Sequence, residues 1–579
     1  MRRILKKLNI LLDKKQKRQM LLLVPMMLVG AVLETASIAL VLSVITAIAT
    51  PDAVESNKYV ALVYNAFHFT SMTSFTVTVM ALLIAAYVLK NVYLFVQWKV
   101  QYAFVYRNQF RTSERMLKSY LRRDYEYFLF ADTAVVQRSI TADVNNMYGL
   151  ILSLLTIVSE GIVFIALVVV IFLIDPVLCL VIAALLLLTM FFITKILKPV
   201  MRRSGKENQD FYSALFKWIS EIVQGIKEVK VSGKEKFFVS EYGKCGNGYV
   251  NAVERYSLYN NTPKLLIETV CVAGMIGYLL VGVLRGNDVS SSIPTLGTIA
   301  VAAMKLMPSA NKINNQLNSI SYFEPFLMHV SDNLIDETSA KNTDLSFAYE
   351  NYEKLSIKNG IYLKDITYKY PQTEKYIFKH AEMEIPIGSS VGIVGESGSG
   401  KTTIVDVLLG LLKLEGGAVY ADDVDTKTCY RNWLKNVGYI PQMIYMLDGS
   451  IRENVAFGVT GDDIDEEKVW EALREAHLDE FVRSLPLGLD TQIGERGVRI
   501  SGGQRQRIGI ARALYNDPEV LILDEATSAL DNDTEAQIME SINALHGKKT
   551  LVIVAHRLQT IEKCDMVYRV QDGKIKRER

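Results

Sequence analysis

Only five cysteines occur in 579 residues. Cys179, Cys245, Cys271, Cys429 and Cys564 are scattered, odd in number and without metal-ligand spacing, which argues against a disulfide framework and against a zinc site. Net charge is nearly absent as well: 64 Lys+Arg against 62 Asp+Glu leaves +2. That value averages a basic membrane half and a mixed-charge soluble half and carries no message of its own, and no nucleic-acid partner is expected. The basic opening "MRRILKKLNILLDKKQKRQ" lacks a small-residue cleavage site and precedes a span too long for a signal peptide, so it reads as an interfacial helix leading into an uncleaved first span. No peptidase-like segment precedes the spans and no regulatory insertion interrupts the second half, so processing of exported peptides and a gated regulator are both disfavoured.

Apolar residues make up 50% of the chain and are concentrated before residue 335. Runs long enough to cross about 30 Å of hydrocarbon lie near 20–49, 76–98, 150–174, 177–195, 265–284 and 293–312. These predict a transmembrane domain of six spans over residues 1–335, with a second domain over 336–579. Lys and Arg are scarce in 50–72 and 285–292, where only Lys58 and Arg285 occur, whereas 1–19, 99–146 and 195–255 hold eight, eight and twelve. The positive-inside rule therefore places both termini and the second domain in the cytoplasm of a multi-pass cell inner-membrane protein. Segments 99–146 and 196–262 are charged yet periodic, as expected of helices continuing beyond the bilayer. In "SNKYVALVYNAFHFT", Tyr59, Leu62, Val63 and Phe67 recur at helical spacing, which suggests an amphipathic external helix near 56–70 or a packed loop helix.

Several lysines interrupt the apolar runs. A lysine at the centre of a membrane helix costs roughly 2.5–3.5 kcal/mol, yet Lys90 and Lys305 sit well inside spans, Lys264 opens the fifth and Lys312 closes the sixth. Lys305, Ser309 and Lys312 fall on one helix face beside Pro308, the pattern of a charged stripe along a water-filled passage. Lys264 has the competing reading of a side chain that snorkels to the interface. A ring of such charge suits an anionic cargo, phosphate or pyrophosphate above all.

The second domain carries the chemistry of phosphoryl transfer. In "SSVGIVGESGSGKTTIVDVLLGLL" an apolar strand runs into Gly395, Glu396, Ser397, Gly398, Ser399, Gly400, Lys401, Thr402 and Thr403. Glycines there let backbone N–H groups close on phosphate, Lys401 neutralises β/γ oxygens and Thr402 offers a hydroxyl to Mg²⁺. Later, "VLILDEATSALD" ends a buried strand in Asp524, suited to the Mg²⁺ shell through water, and Glu525, suited to take a proton from the attacking water. "TLVIVAH" brings His556 to the end of another strand of that sheet. Ser501, Gly502, Gly503 and Gln504 in "RISGGQRQRIGIARAL" open a helix with a second anion-sized turn.

Together these motifs resemble the nucleotide-binding domain of an ABC transporter, and with six spans ahead of it the whole chain resembles a type IV exporter half-transporter. The resemblance implies an α-helical six-span domain followed by an α/β P-loop domain, with ATP and Mg²⁺ as cofactors. It further implies that Tyr370 stacks on adenine, that Gln442 links Mg²⁺ and nucleotide to the membrane domain, and that Glu495 belongs to the coupling X-loop. Ser528 to Asp531 would form the D-loop, Asp531 contributing to the ATP site, and His556 would be the switch histidine. Ile500 stands where the family commonly has leucine. ATP in this family lies between the P-loop of one subunit and the "SGGQ" turn of the other, so one intact copy of each implies a homodimer. Coupling helices are expected near 114–125 and 210–221.

By resemblance, the span-six run "MKLMPSANKINNQLNSI", the external helix and the basic positions are similar to lipid-linked oligosaccharide flippases of the PglK type, with lysines here where that family mainly has arginines. The expected function is ATP-driven flipping of a polyprenyl-pyrophosphate-linked oligosaccharide among membrane lipids, from the cytoplasmic to the outer leaflet, in support of protein glycosylation. Export of a lipid A precursor or a drug is the alternative, and an ATP-gated channel or regulator is the reading from another class.

Overall fold

A computed structural model describes residues 1–49, 72–174, 176–284, 306–339, 352–525, 538–540, 542–555 and 561–579. The external helix near 56–70, and with it Tyr59, Leu62, Val63 and Phe67, lies outside the described residues, as do Lys305, Asp531 and His556. The chain forms two compact units: Met1–Arg123 with Ala131–Asp344, and Asp124–Phe130 with Leu345–Arg579.

The first unit is helical: α1 (Arg2–Leu11), α2 (Lys14–Ala49) and α3 (Met72–Leu121). The chain then passes through α4 (Tyr125–Phe130), a member of the second unit, before α5 (Thr133–Arg138), a π turn at Ser139–Asp143 and α6 (Val144–Ile174). Next come α7 (Pro176–Gln224), α8 (Ile226–Ser232), α9 (Glu235–Leu284) and α10 (Met307–Ser339). Among the described residues four segments are long and apolar enough to span a membrane, Lys14–Ser37, Met80–Leu121, Thr133–Leu173 and Cys179–Gln224. The expected fifth span is the end of α9, and most of the expected sixth falls outside the described residues.

α3, α7 and α9 have 50, 49 and 50 residues, so each is about 75 Å long at 1.5 Å per residue, far more than the hydrocarbon requires. The charged segments after the spans are thus continuations of the same helices. This corrects the expected coupling helices. Residues 114–121 belong to α3 and 210–221 to the interior of α7, and a separate short helix follows each of these long ones, α4 after α3 and α8 after α7. For α8 the cause is local: Gly225 caps its start and Gly233, at φ +62°, ends it in the left-handed region. Similarly α10 runs to Ser339, past the boundary expected at 335, because "DNLIDETS" holds neither glycine nor proline.

α7 packs along α9, and α10 packs against α6 and α7. Apolar stripes of Val163, Leu167, Ile182, Leu186, Ile267 and Met275 meet in the buried centre. Beyond it, Tyr256 stacks on Tyr322 with centroids 3.9 Å apart. Arg138 is buried and pairs with buried Asp143 at 3.2 Å, and His329 approaches the same carboxylate oxygen at 2.8 Å. A Cβ placed on Gly205 of α7 would lie 1.9 Å from the Tyr322 carbonyl oxygen of α10. Gly205→Ala should therefore push two backbones apart and cost about 1–3 kcal/mol of stability, read as an earlier thermal unfolding transition; an unchanged transition would refute so close an approach.

The second unit has two sheets. An antiparallel one, ordered β2-β1-β4-β5, uses β1 (Gly360–Tyr368), β2 (Phe378–Pro386), β4 (Gly416–Ala421) and β5 (Val424–Asp425). The other is ordered β10-β9-β3-β8-β7-β6, from β3 (Ser390–Gly395), β6 (Val437–Ile440), β7 (Val520–Asp524), β8 (Thr550–Val554), β9 (Met566–Gln571) and β10 (Lys574–Arg577). All its neighbours are parallel except the β9–β10 pair at the edge. β7 and β8 are buried along their whole length, which is why "VLILD" and "TLVIV" are unbroken apolar runs rather than alternating ones. Parallel sheets bind ligands beyond the carboxyl ends of their strands. Gly395 and Asp524 are the last residues of β3 and β7, which flank β8.

Candidate nucleotide site and membrane lysines

The loop after β3 turns through Gly398 at φ +77° and Gly400 at φ +107°, a left-handed path that glycine takes without penalty. It delivers Lys401 to the first position of α11 (Lys401–Leu408). Lys401 is buried, and its Nζ donates to the carbonyls of Gly395 and Glu396 at 3.1 Å each, 3.9 Å from Glu525 Oε1. Glu525, just past β7, is held in the left-handed region at φ +48° while its N–H donates to Val554 O on β8 at 3.1 Å. Non-glycine residues held there are strained and cluster at functional sites. Gln442, after β6, donates through Nε2 to Glu525 Oε2 at 2.9 Å. Lys401, Glu525 and Gln442 thus converge from three separate motifs.

Thr402 Oγ1 lies 3.5 Å from Asp524 Oδ1. Burial, and then the charge of Glu525, push the Asp524 carboxyl up to about 6. Asp406, on the same helix as Lys401, is also pushed up to about 6, by burial and then by Asp524. Tyr370 shares a hydrogen bond with Thr403 Oγ1 at 3.0 Å and meets Tyr368 edge-on. Tyr368 Oη in turn donates to Glu126 Oε1 of α4 at 3.0 Å, and the Lys413 N–H donates to the same oxygen at 3.1 Å. Burial raises the Tyr125 hydroxyl as well, with Asp406 and Tyr370 adding to the effect. Glu126, Tyr125 and Asp406 were not singled out from the sequence, where nothing separates Glu126 from the charges around it.

The phosphate-sized turn at Ser501 stands at the start of α12 (Gly502–Leu514). Its hydroxyl accepts from the Gln504 N–H at 3.2 Å while Gln504 Oε1 accepts from the Ser501 N–H at 2.9 Å, a reciprocal cap that fixes the turn. Ser501 and Gly502 remain exposed, as does Glu495 in the short turn Glu495–Gly497. Ile500 packs against the buried cluster beneath α12.

These residues fit a nucleotide phosphate and its Mg²⁺. Ser399 Oγ is buried in the loop with no partner, an acceptor and donor awaiting a ligand. A Cβ on Gly395 would lie 2.6 Å from both Ser399 Oγ and Val570 O, so the cradle closes only around glycine. Asp406 and Asp524, with raised affinity for protons, form the acidic environment that a divalent cation neutralises. Thr402, Asp524 and Gln442 would hold Mg²⁺, which when bound with ATP supplies charge neutralisation for the phosphoryl oxygens.

Residues 378–528 match the family described as ABC transporter, and residues 21–307 match the one described as ABC transporter transmembrane region. The chain belongs to the ABC transporters. This transporter is 29% identical over 457 residues, 77% of its length and 75% of the relative's, to the ATP-dependent lipid A-core flippase of Bordetella avium. With the flippase of that name from Vibrio cholerae it shares 39% identity over 226 residues, which span 38% of that protein. With the heterocyst differentiation ATP-binding protein HepA of Nostoc it shares 31% over 358 residues, 57% of that protein. Its fold is that of a solved bacterial Atm1-family ABC exporter with ATP bound, at a TM-score of 0.76 and 20% identity over 97% of this chain and 95% of the other. ABC transporters pair such a membrane region with an ATPase that uses ATP and Mg²⁺.

In the membrane unit the described lysines stand in different surroundings. Lys90 is buried on α3 with its ammonium 4.2 Å from the Tyr87 ring centre. Lys264 is exposed on α9, as snorkelling allows. Lys312 and Ser309 do share a face of α10, and both reach Glu160 of α6. Glu160 is not among the residues singled out from the sequence, although the signal was there: it breaks the run "ILSLLTIVSEGIVFIALVVVIFLI", and an ionisable residue in a membrane span is a functional candidate by default.

Proposed function

We propose that this ABC transporter works as a homodimer in the bacterial inner membrane and uses ATP hydrolysis to flip a lipid with a phosphorylated saccharide headgroup from the cytoplasmic to the outer leaflet. The observation that carries this reading is the extent of the likeness to lipid A-core flippases, which runs through 77% of the chain rather than the ATPase alone. The same relatives favour a lipid A-core type of cargo over the polyprenyl-pyrophosphate oligosaccharide expected from the lysine-bearing spans. Both cargoes join phosphate and sugar to long hydrocarbon, and such a headgroup cannot cross a bilayer unaided.

The homodimer follows from one P-loop and one Ser501 turn per chain, each complete. In the reading proposed here Tyr370, the loop Gly395–Thr403, Gln442 and Asp524 bind nucleotide from one subunit, and Ser501 to Gln504 and Asp531 complete the site from the other. Glu525 takes the proton of the attacking water, with His556 at the γ-phosphate. Because Gln442 donates to Glu525, freeing that carboxylate is part of reaching the hydrolytic arrangement. Glu126 ties α4 to Tyr368, and through Tyr370 to Thr403, within the nucleotide unit. The basic segments 1–19, 99–146 and 195–255 support a cytoplasmic location for both termini and the ATPase.

ATPase rates of purified protein in liposomes test the cargo class. Stimulation by a lipid A-core lipid or a polyprenyl-pyrophosphate oligosaccharide, and not by a cationic drug, is expected; stimulation by the drug alone would overturn the reading. The larger response of the two lipids separates the two cargo chemistries.

A further inference from the structure

Glu160 interrupts the apolar stretch of α6, and its carboxylate is only 16% exposed. Both oxygens are engaged by α10: Lys312 Nζ donates to Oε1 at 2.7 Å and Ser309 Oγ donates to Oε2 at 3.0 Å. Lys312 itself is 61% exposed. The pair is therefore asymmetric, with a fixed and sheltered anion and an open cation. An ammonium carries three N–H donors, and with one directed at Glu160 two remain on the exposed side of Lys312.

We propose that Glu160 is the internal competitor for the cargo's phosphate: Lys312 exchanges the Glu160 carboxylate for a phosphoryl oxygen when an anionic lipid docks, and returns to it when the lipid leaves. This rests on the flippase reading above and adds to it the residue that sets release. A lysine without a counter-ion in this setting would be costly when empty and, once loaded, would hold a phosphate too firmly for turnover. Exchange of one charge-assisted bond for another is close to neutral, so the cargo is neither excluded nor trapped. Ser309 makes the exchange feasible, because it keeps one hydrogen bond on Glu160 after Lys312 has turned away.

The test is the affinity of the purified full-length protein for a short-chain phosphatidic acid and for the matching phosphatidylcholine, read by native mass spectrometry. Glu160→Gln removes the competing charge and should tighten phosphatidic acid binding roughly tenfold, with phosphatidylcholine unmoved. Ser309→Ala leaves the carboxylate wholly to Lys312 and should weaken phosphatidic acid binding by about threefold, the opposite sign. If Glu160→Gln does not fold, the sign of the Ser309→Ala effect decides alone. An anionic preference in the unaltered protein that neither variant changes, or a loss of affinity in Glu160→Gln, overturns the exchange while leaving the flippase reading intact. No anionic preference in the unaltered protein overturns the exchange as well, while the flippase reading is decided by the liposome ATPase rates above.

Discussion

Glu525→Gln should lower ATP turnover by roughly 10²–10⁴-fold, the usual share of a general base, while ATP still binds. The substitution keeps the shape of the side chain beside Lys401 and Gln442 and removes its charge and its ability to accept a proton. The strained backbone at φ +48° is retained by any non-glycine residue, so the effect is not one of refolding. Phosphate release and binding of a fluorescent ATP analogue, measured on the same preparation, separate the two quantities. Near-normal turnover would remove Glu525 from the chemistry, and loss of nucleotide binding would make it a structural residue of the loop.

Gly400→Val is expected to act one step earlier, on binding. Gly400 stands at φ +107° as the residue before α11, and a Cβ there would meet Ile377 Cγ2 at 2.8 Å and Phe378 Cζ at 3.0 Å. Holding a β-branched residue in that conformation costs about 1–3 kcal/mol, or roughly five- to 150-fold in nucleotide affinity if the loop relaxes to avoid it. The sheet behind it, fully buried along β7 and β8, should stay folded, so circular dichroism should change little. A Kd for ATP equal to that of the unaltered protein would show that the loop tolerates a side chain and that its glycines do not shape the cradle.

The nucleotide unit was legible because its chemistry lies in short contiguous runs, each at the carboxyl end of a parallel strand. "GESGSGK" and "LILDE" each state their strand, turn and polar residue in sequence, and the convergence of Lys401, Glu525 and Gln442 follows from parallel strands ending at one edge. Glu126 was not legible, because its significance comes from Tyr368 and Lys413, hundreds of residues away. The long helices show a different limit. Hydropathy marks where a helix leaves the apolar layer but not where it ends, and α3 and α7 continue through charged segments until Leu121 and Gln224. The membrane lysines were read one at a time as a ring of like charge, whereas Lys312 is balanced by an acid from another helix. Arg138 carries the same lesson: counted as a cytoplasmic charge, it is buried against Asp143.

The central claim is ATP-driven movement of a phosphorylated saccharide lipid, and the most direct measurement is leaflet-specific labelling of that lipid in proteoliposomes. With Mg²⁺ and ATP, a lipid A-core lipid or a polyprenyl-pyrophosphate oligosaccharide should become accessible on the face opposite the ATPase domain. The movement should stop in Glu525→Gln and with a non-hydrolysable ATP analogue. Movement that continues at the same rate without hydrolysis, or ATP-driven movement of a cationic drug with neither lipid transported, would contradict the account.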